Sequence, residues 1–153
     1  MNLIDIINEQ KVIEIDVDLI GRLSVRILEI LNRQGVELCV VLTDNADIQA
    51  LNREYLGRDR PTNVISFPQQ EGVGPQGSHL GDVVISVERA AEEALEAGME
   101  TMDRIRALLV HGICHLCGYN HEGVSEEMAR EMEALEERVL SLLDDCQAWR
   151  STN

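Results

Sequence analysis

His111, His115 and His121 stand together in the segment His-Gly-Ile-Cys-His-Leu-Cys-Gly-Tyr-Asn-His, and three imidazoles so spaced suit one task above others, holding a divalent cation. Helical positions four apart are rotated by about 400°, so the rings of His111 and His115 return to within roughly 40° of each other, one turn apart. Gly118 then offers a residue that accepts the left-handed conformation in which helices commonly end, and the reversed chain can carry His121 back toward the same ion. Three protein ligands leave a coordination position for water or substrate, whereas closed structural zinc sites use four. The pattern therefore reads as a catalytic centre with one zinc ion per chain, although imidazole ligands also suit copper and nickel. The remaining histidine, His79, falls in a glycine-rich stretch and reads as solvent-facing. Cys114 and Cys117 form a Cys-x-x-Cys at the end of the same helix, away from the helix N-terminus that lowers thiol pKa values in redox pairs, and read as core packing.

The elements that must position these rings follow from hydrophobic period and caps. Asn2 to Ile7 alternates as a strand, with Val12 to Ile15 as an extension. Asp16 or Asp18 caps a helix to about Asn32 whose Ile20, Leu23, Ile27, Ile30 and Leu31 share a face. Val36 to Leu42 reads as a buried strand, and Thr43 or Asp44 caps a helix through Tyr55. A loop with Arg53, Arg58 and Arg60 at and beyond its start leads to a short strand, Val64 to Phe67, closed by Pro68. Val83 to Val87 forms another strand, introduced by Gly81; Ser86 caps a helix to about Ala97 that Gly98 ends, and Thr101 opens the histidine helix. Ser125 caps a long acidic helix with Met128, Met132, Leu135, Val139 and Leu142 inward. Four or so strands and five helices, the strands mostly first, predict an α+β fold with a mixed sheet.

At 153 residues and 44% hydrophobic composition the chain is expected to form a single metal-dependent hydrolase domain over 1–153 with its own core. No apolar run is long enough for a membrane span, and the first residues lack a basic region and a signal-peptide core, which predicts a cytoplasmic protein. Cys39, Cys114, Cys117 and Cys146 are then expected as reduced thiols. The net charge of -15 disfavours nucleic acid, since Lys and Arg contacts to phosphate supply much of that affinity. Much of the acid, however, lies in the last helix, in Glu122, Glu126, Glu127, Glu131, Glu133, Glu136, Glu137, Asp144 and Asp145, and reads as a solvated face. The cluster of Arg53, Arg58 and Arg60 remains available as a local basic patch.

The histidine spacing is similar to that of metzincin proteases, in which a Glu directly after the first His serves as general base; here Gly112 stands in that place and removes the base. Another family fits more of the chain. His111 to His121 closely resembles the His-Gly-x-x-His-x-x-Gly-Tyr-Asp-His signature of the bacterial YbeY proteins, single-strand-specific endoribonucleases of ribosomal RNA maturation. Asp59-Arg60-Pro61-Thr62-Asn63-Val64-Ile65-Ser66-Phe67-Pro68 resembles that family's Asp-x-Pro-Thr-Asp/Asn-Val-Leu-Ser-Phe-Pro segment, and Leu80-Gly81-Asp82-Val83-Val84-Ile85-Ser86 its Leu-Gly-Asp-Ile-x-Ile-Ser strand. The resemblance implies a zincin-like α+β fold, zinc on His111, His115 and His121, and hydrolysis of single-stranded RNA near the 3′ end of small-subunit ribosomal RNA. It implies as partners that RNA and the small subunit or its assembly factors, with no membrane.

Two positions depart from the family pattern. The family's usual Arg after the Tyr of Asn-x-x-Tyr-Arg is replaced, since Asn52-Arg53-Glu54-Tyr55 is followed by Leu56. Arg58 is the first candidate to take over its contact with phosphate, as the catalytic arginine, with Arg53 and Arg60 behind it and Ser66 as a further substrate-binding residue. Asn120 replaces the Asp of Gly-Tyr-Asp-His; an amide orients a ligand or a water but cannot act as general base, so that base is unassigned. Thr62 and Asn63 fit a turn or cap as well as a groove, Gly81 and Asp82 shape a strand entry, and Tyr119 packs on the ligand turn. Two other readings stand beside the nuclease: a non-catalytic ribosome-assembly docking factor with a structural zinc site, and a metallopeptidase.

Overall fold

A computed structural model describes residues 1–69, 79–118 and 125–145. The elements run β1 (Leu3–Asn8), α1 (Val17–Ile30), β2 (Glu37–Thr43), α2 (Asn45–Leu56), β3 (Val64–Pro68), β4 (His79–Ser86), α3 (Val87–Ala97), α4 (Thr101–Leu116) and α5 (Glu126–Asp145). The strands form one mixed sheet in the order β1-β2-β4-β3, with β1, β2 and β4 parallel and β3 antiparallel on the edge. Parallel neighbours need a crossover, and α1 supplies it between β1 and β2. This is the expected α+β arrangement of a four-stranded mixed sheet with five helices.

The caps are those the sequence predicts, because a short oxygen-bearing side chain satisfies an amide left open in the first turn. Asp16 accepts from Leu19 N at 3.1 Å, Asp44 from Asp47 N at 2.9 Å, Ser86 from Arg89 N at 3.1 Å and Ser125 from Met128 N at 3.2 Å. The core lies on one face of the sheet, where Leu38, Val40 and Leu42 of β2 and Val83 and Ile85 of β4 meet Ile20, Leu23 and Ile27 of α1 and Ile105, Leu109 and Ile113 of α4. Full burial of one such side chain contributes about 1.5–3 kcal/mol. α5 closes this layer with Met132, Val139 and Leu143. On the other face α2 covers β3 and β4 through Ile48, against Ile65 and Val84.

Four expectations need correction. Val12 to Ile15 does not extend β1, because the buried Gln10 side chain takes the backbone bonds instead: its Oε1 accepts from Val12 N at 2.8 Å and Ile13 N at 3.1 Å, and its Nε2 donates to Ile13 O at 2.9 Å. β4 starts at His79, earlier than Gly81, and Val87 belongs to α3. His79 is therefore a strand residue, with Nε2 3.4 Å from Asp82 and Nδ1 3.8 Å from Glu37, and not a histidine of a solvent loop. In α5, Met128 is exposed, and Leu143 takes the buried position expected of Leu142, which is half-buried. No helix among the described residues is long and apolar enough to cross a membrane.

Candidate metal centre

Close approach of α4 to the sheet comes first, and two glycines permit it. A Cβ on Gly112 would lie 2.7 Å from Val83 Cγ1 and 3.3 Å from Ser66 Oγ. The Ser66 hydroxyl donates to the Gly112 carbonyl at 3.0 Å, a bond from the edge strand to the helix. Gly81 sits at φ +147°, and a Cβ there would lie 2.5 Å from the Phe67 carbonyl oxygen and 2.8 Å from Leu116 Cδ2. The last two turns of α4 thus rest directly on β3 and β4.

Within those turns His111 and His115 lie side by side, their ring centroids 4.6 Å apart and their planes tilted by 53°. His111 is held from a second helix: its Nδ1 is 2.9 Å from Oε2 of Glu136 in α5, whose side chain is only 17% exposed. An ionised carboxylate only accepts, so in the neutral ring the shared proton sits on Nδ1 and the lone pair on Nε2. The helix ends as expected at Gly118, which has φ +97° and donates its amide to His115 O at 3.0 Å. Arg33, from the α1–β2 loop, donates through Nη2 to Cys117 O at 3.0 Å and places a positive charge at this helix C-terminus, the end where a cation is favoured.

Two of the three expected ligands are therefore neighbours. His121, with Tyr119 and Asn120, lies outside the described residues, and among the described residues no group of three or more His, Cys, Asp or Glu is placed to hold a metal ion. Cys114 is fully buried, and burial, then Glu136 and Cys117, pushes its thiol up to about 12. Burial also raises Cys117, against the opposing pull of Arg33. Cys39, Cys114 and Cys117 are free, as expected, and Cys146 lies outside the described residues.

The arginine loop is built on Asn52, a buried residue of α2. Its side-chain Nδ2 donates to Arg60 O at 2.8 Å and its carbonyl accepts from Arg58 N at 3.2 Å, while Gly57 turns the chain at φ +69°. Arg53 is exposed and pairs with Asp59 at 3.4 Å. Arg58 and Arg60 are exposed, and among the described residues their side chains make no hydrogen bond or ion pair and none links the loop to His111 or His115. Leu56, in the place of the family arginine, is half exposed at the end of α2. Asn63 serves the strand entry: its Nδ2 lies 3.2 Å from both carboxylate oxygens of Glu93, and its carbonyl accepts from Ser86 N at 2.9 Å.

Glu136 is the residue that sequence reasoning missed by grouping it with a solvated acidic face. A signal was present. Met132, Glu136, Val139 and Leu143 follow one another at spacings of four, three and four, so the carboxylate occupies a position on the buried stripe of α5.

Fold and site together define a class: an α+β domain in which a helix bearing a histidine pair is seated by two glycines on the edge half of a mixed four-stranded sheet. The chain belongs to the family described as Endoribonuclease YbeY, whose profile matches residues 5–144. It is 44% identical over 143 residues to the Endoribonuclease YbeY of Syntrophotalea carbinolica, a match covering 92% of this chain and 95% of that protein. The protein of the same name from Geobacter metallireducens is 43% identical over 143 residues, covering 91% and 94%. Among solved structures, the solution structure of TM1509 from Thermotoga maritima aligns with a TM-score of 0.61 at 28% identity, covering 94% of this chain and 93% of that one.

Proposed function

We propose that this chain is a zinc-dependent, single-strand-specific endoribonuclease acting in ribosomal RNA maturation. Hydrolytic cleavage of RNA comes with the family; the observation that carries the metal reading is the adjacent pair of imidazoles, one fixed by a half-buried carboxylate. His111, His115 and His121 would hold the ion. The chemistry such an ion supplies is that of a Lewis acid, which makes water a nucleophile at neutral pH and offsets charge on a phosphoryl oxygen. The chain's own part is positional: Ser66 and Gly112 fix α4 on the sheet, Glu136 sets the His111 ring, and Arg58 and Arg60 present exposed guanidiniums to a phosphate backbone. The small-subunit ribosomal RNA 3′ end as target, the small subunit or its assembly factors as partners, and a cytoplasmic address complete the reading.

Gly112 speaks against the peptidase alternative. A side chain at that position would already meet Val83 Cγ1 at 2.7 Å and Ser66 Oγ at 3.3 Å through its Cβ, so the packing has no room for a general-base Glu there. Metal analysis of unstripped protein, combined with cleavage of a single-stranded RNA, tests the proposal. Zinc near one equivalent, RNA cleavage, and loss of both on His111→Ala or His115→Ala with the fold retained are expected. Zinc without any cleavage of ribosomal RNA precursors would leave the docking-factor reading in its place.

A further inference from the structure

We propose that Glu136 is a positioning residue for the metal centre, holding His111 in the tautomer and orientation that place the ring's lone pair on Nε2 to ligate a borderline divalent cation. The inference rests on the metal reading above and goes beyond it to a residue on another helix. Three observations carry it. First, the contact joins residues 25 apart in the chain, Nδ1 of His111 on α4 and Oε2 of Glu136 on α5, at 2.9 Å. Second, the carboxylate stands where the α5 stripe is otherwise apolar, between the buried Met132 and Val139, and its side chain is 17% exposed where that of Glu126 on the same helix is 95% exposed. A carboxylate in such a place is costly unless partnered, so it marks a site with a use for it. Third, α5 is anchored through Met132, Val139 and Leu143 to the layer that α4 also enters, so the carboxylate is delivered by packed helices and not by a loop.

The chemical consequence follows from the inventory of imidazole. A neutral ring has one donor nitrogen and one acceptor nitrogen, and a carboxylate on Nδ1–H assigns the acceptor to Nε2. The same bond stiffens the ring against rotation and raises its basicity as a ligand, and the negative charge partly offsets that of a bound dication. Nothing in the His-Gly-x-x-His spacing itself provides this.

The test measures Zn2+ affinity by chelator competition, and the His111 tautomer by nitrogen-15 NMR of the metal-free protein, for the wild type, Glu136→Gln, Glu136→Ala and His115→Ala. Glu136→Ala is expected to weaken zinc binding by about 10–100-fold and to shift the His111 proton from Nδ1 toward Nε2. Glu136→Gln, whose Oε1 still accepts from Nδ1–H, is expected to keep the tautomer and to lose less than about tenfold. Should Glu136→Ala fail to fold, Glu136→Leu, which fills the same space without an acceptor, carries the same two readouts. Wild-type affinity or an unchanged tautomer in the acceptor-free variant, with zinc binding still abolished by His115→Ala, would overturn the role of Glu136 and leave the metal centre standing. A wild-type protein that takes up no zinc would instead overturn the metal reading, and the positioning role with it.

Discussion

One methyl group at Gly112 would force α4 or the strand beneath it to shift, since it would meet Val83 Cγ1 at 2.7 Å and the Ser66 hydroxyl, the donor to Gly112 O, at 3.3 Å. Gly112→Ala is therefore expected to destabilise the protein by about 1–3 kcal/mol, the usual range for overpacking a filled core. Urea unfolding checks this, and Val83→Ala in the same background should restore part of the loss, because the two side chains compete for one space. Independence of the two substitutions would place the clash elsewhere. In the sequence Gly112 is legible only as the absence of a base; its packing role needs the strand beneath it. Ser66 shows the same limit: its motif marks it as a residue of the site, but only the fold reveals that its proton is committed to the helix backbone.

Strand register, an element-scale property, explains the chemistry of Cys39. Asp5 of β1, Cys39 of β2 and Asp82 of β4 are register partners in one row across the sheet. Burial raises the Cys39 thiol first, and the nearby carboxylates of Asp82, Asp5 and Glu9 raise it further. A raised value means less thiolate at a given pH, and the thiolate is the species that reacts. Labelling of Cys39 with iodoacetamide near pH ~8.5 should thus be slower in the native protein than in the unfolded chain. Asp82→Asn should accelerate it, while Asp18→Asn, whose carboxylate is not among those that raise the thiol, should leave it unchanged; peptide mass spectrometry resolves the site. Equal rates for the wild type and Asp82→Asn would remove the electrostatic cause. The helices, their caps and the approximate strands are legible because each depends on residues close in sequence, such as Asp16 with Leu19 or Ser86 with Arg89. Val12 to Ile15 misleads because a nearby side chain, the buried Gln10 amide two to three residues back, takes the bonds a ladder would need, and alternation alone does not show that competition.

Over the whole molecule the charge of -15 opposes a polyanion, so RNA affinity must come from few contacts. Each phosphate contact to a single strand contributes a slope of about -0.7 in the dependence of log affinity on log salt. Three arginines then predict a slope no steeper than about -2. In fluorescence anisotropy with a labelled single-stranded RNA, Arg58→Ala should flatten this slope by about 0.7, and Arg60→Ala likewise. Arg53→Ala should change it less, because Arg53 already pairs with Asp59. An unaltered slope in Arg58→Ala would take that residue out of the interface.

The residue types and spacing of this chain by themselves determine an α+β protein with a histidine-bearing helix that stops at Gly118, because period, capping and ligand spacing are local properties. His111 and His115 are neighbours by helical geometry alone. Tertiary structure decides what surrounds them: Gly112 and Gly81 as points of contact with β3 and β4, His79 as a strand residue, and above all Glu136 as the partner of His111. Those are pairings between elements far apart in the chain: the stripe of α5 marks Glu136 as inward, but which ring it meets is decided only when the two helices are packed.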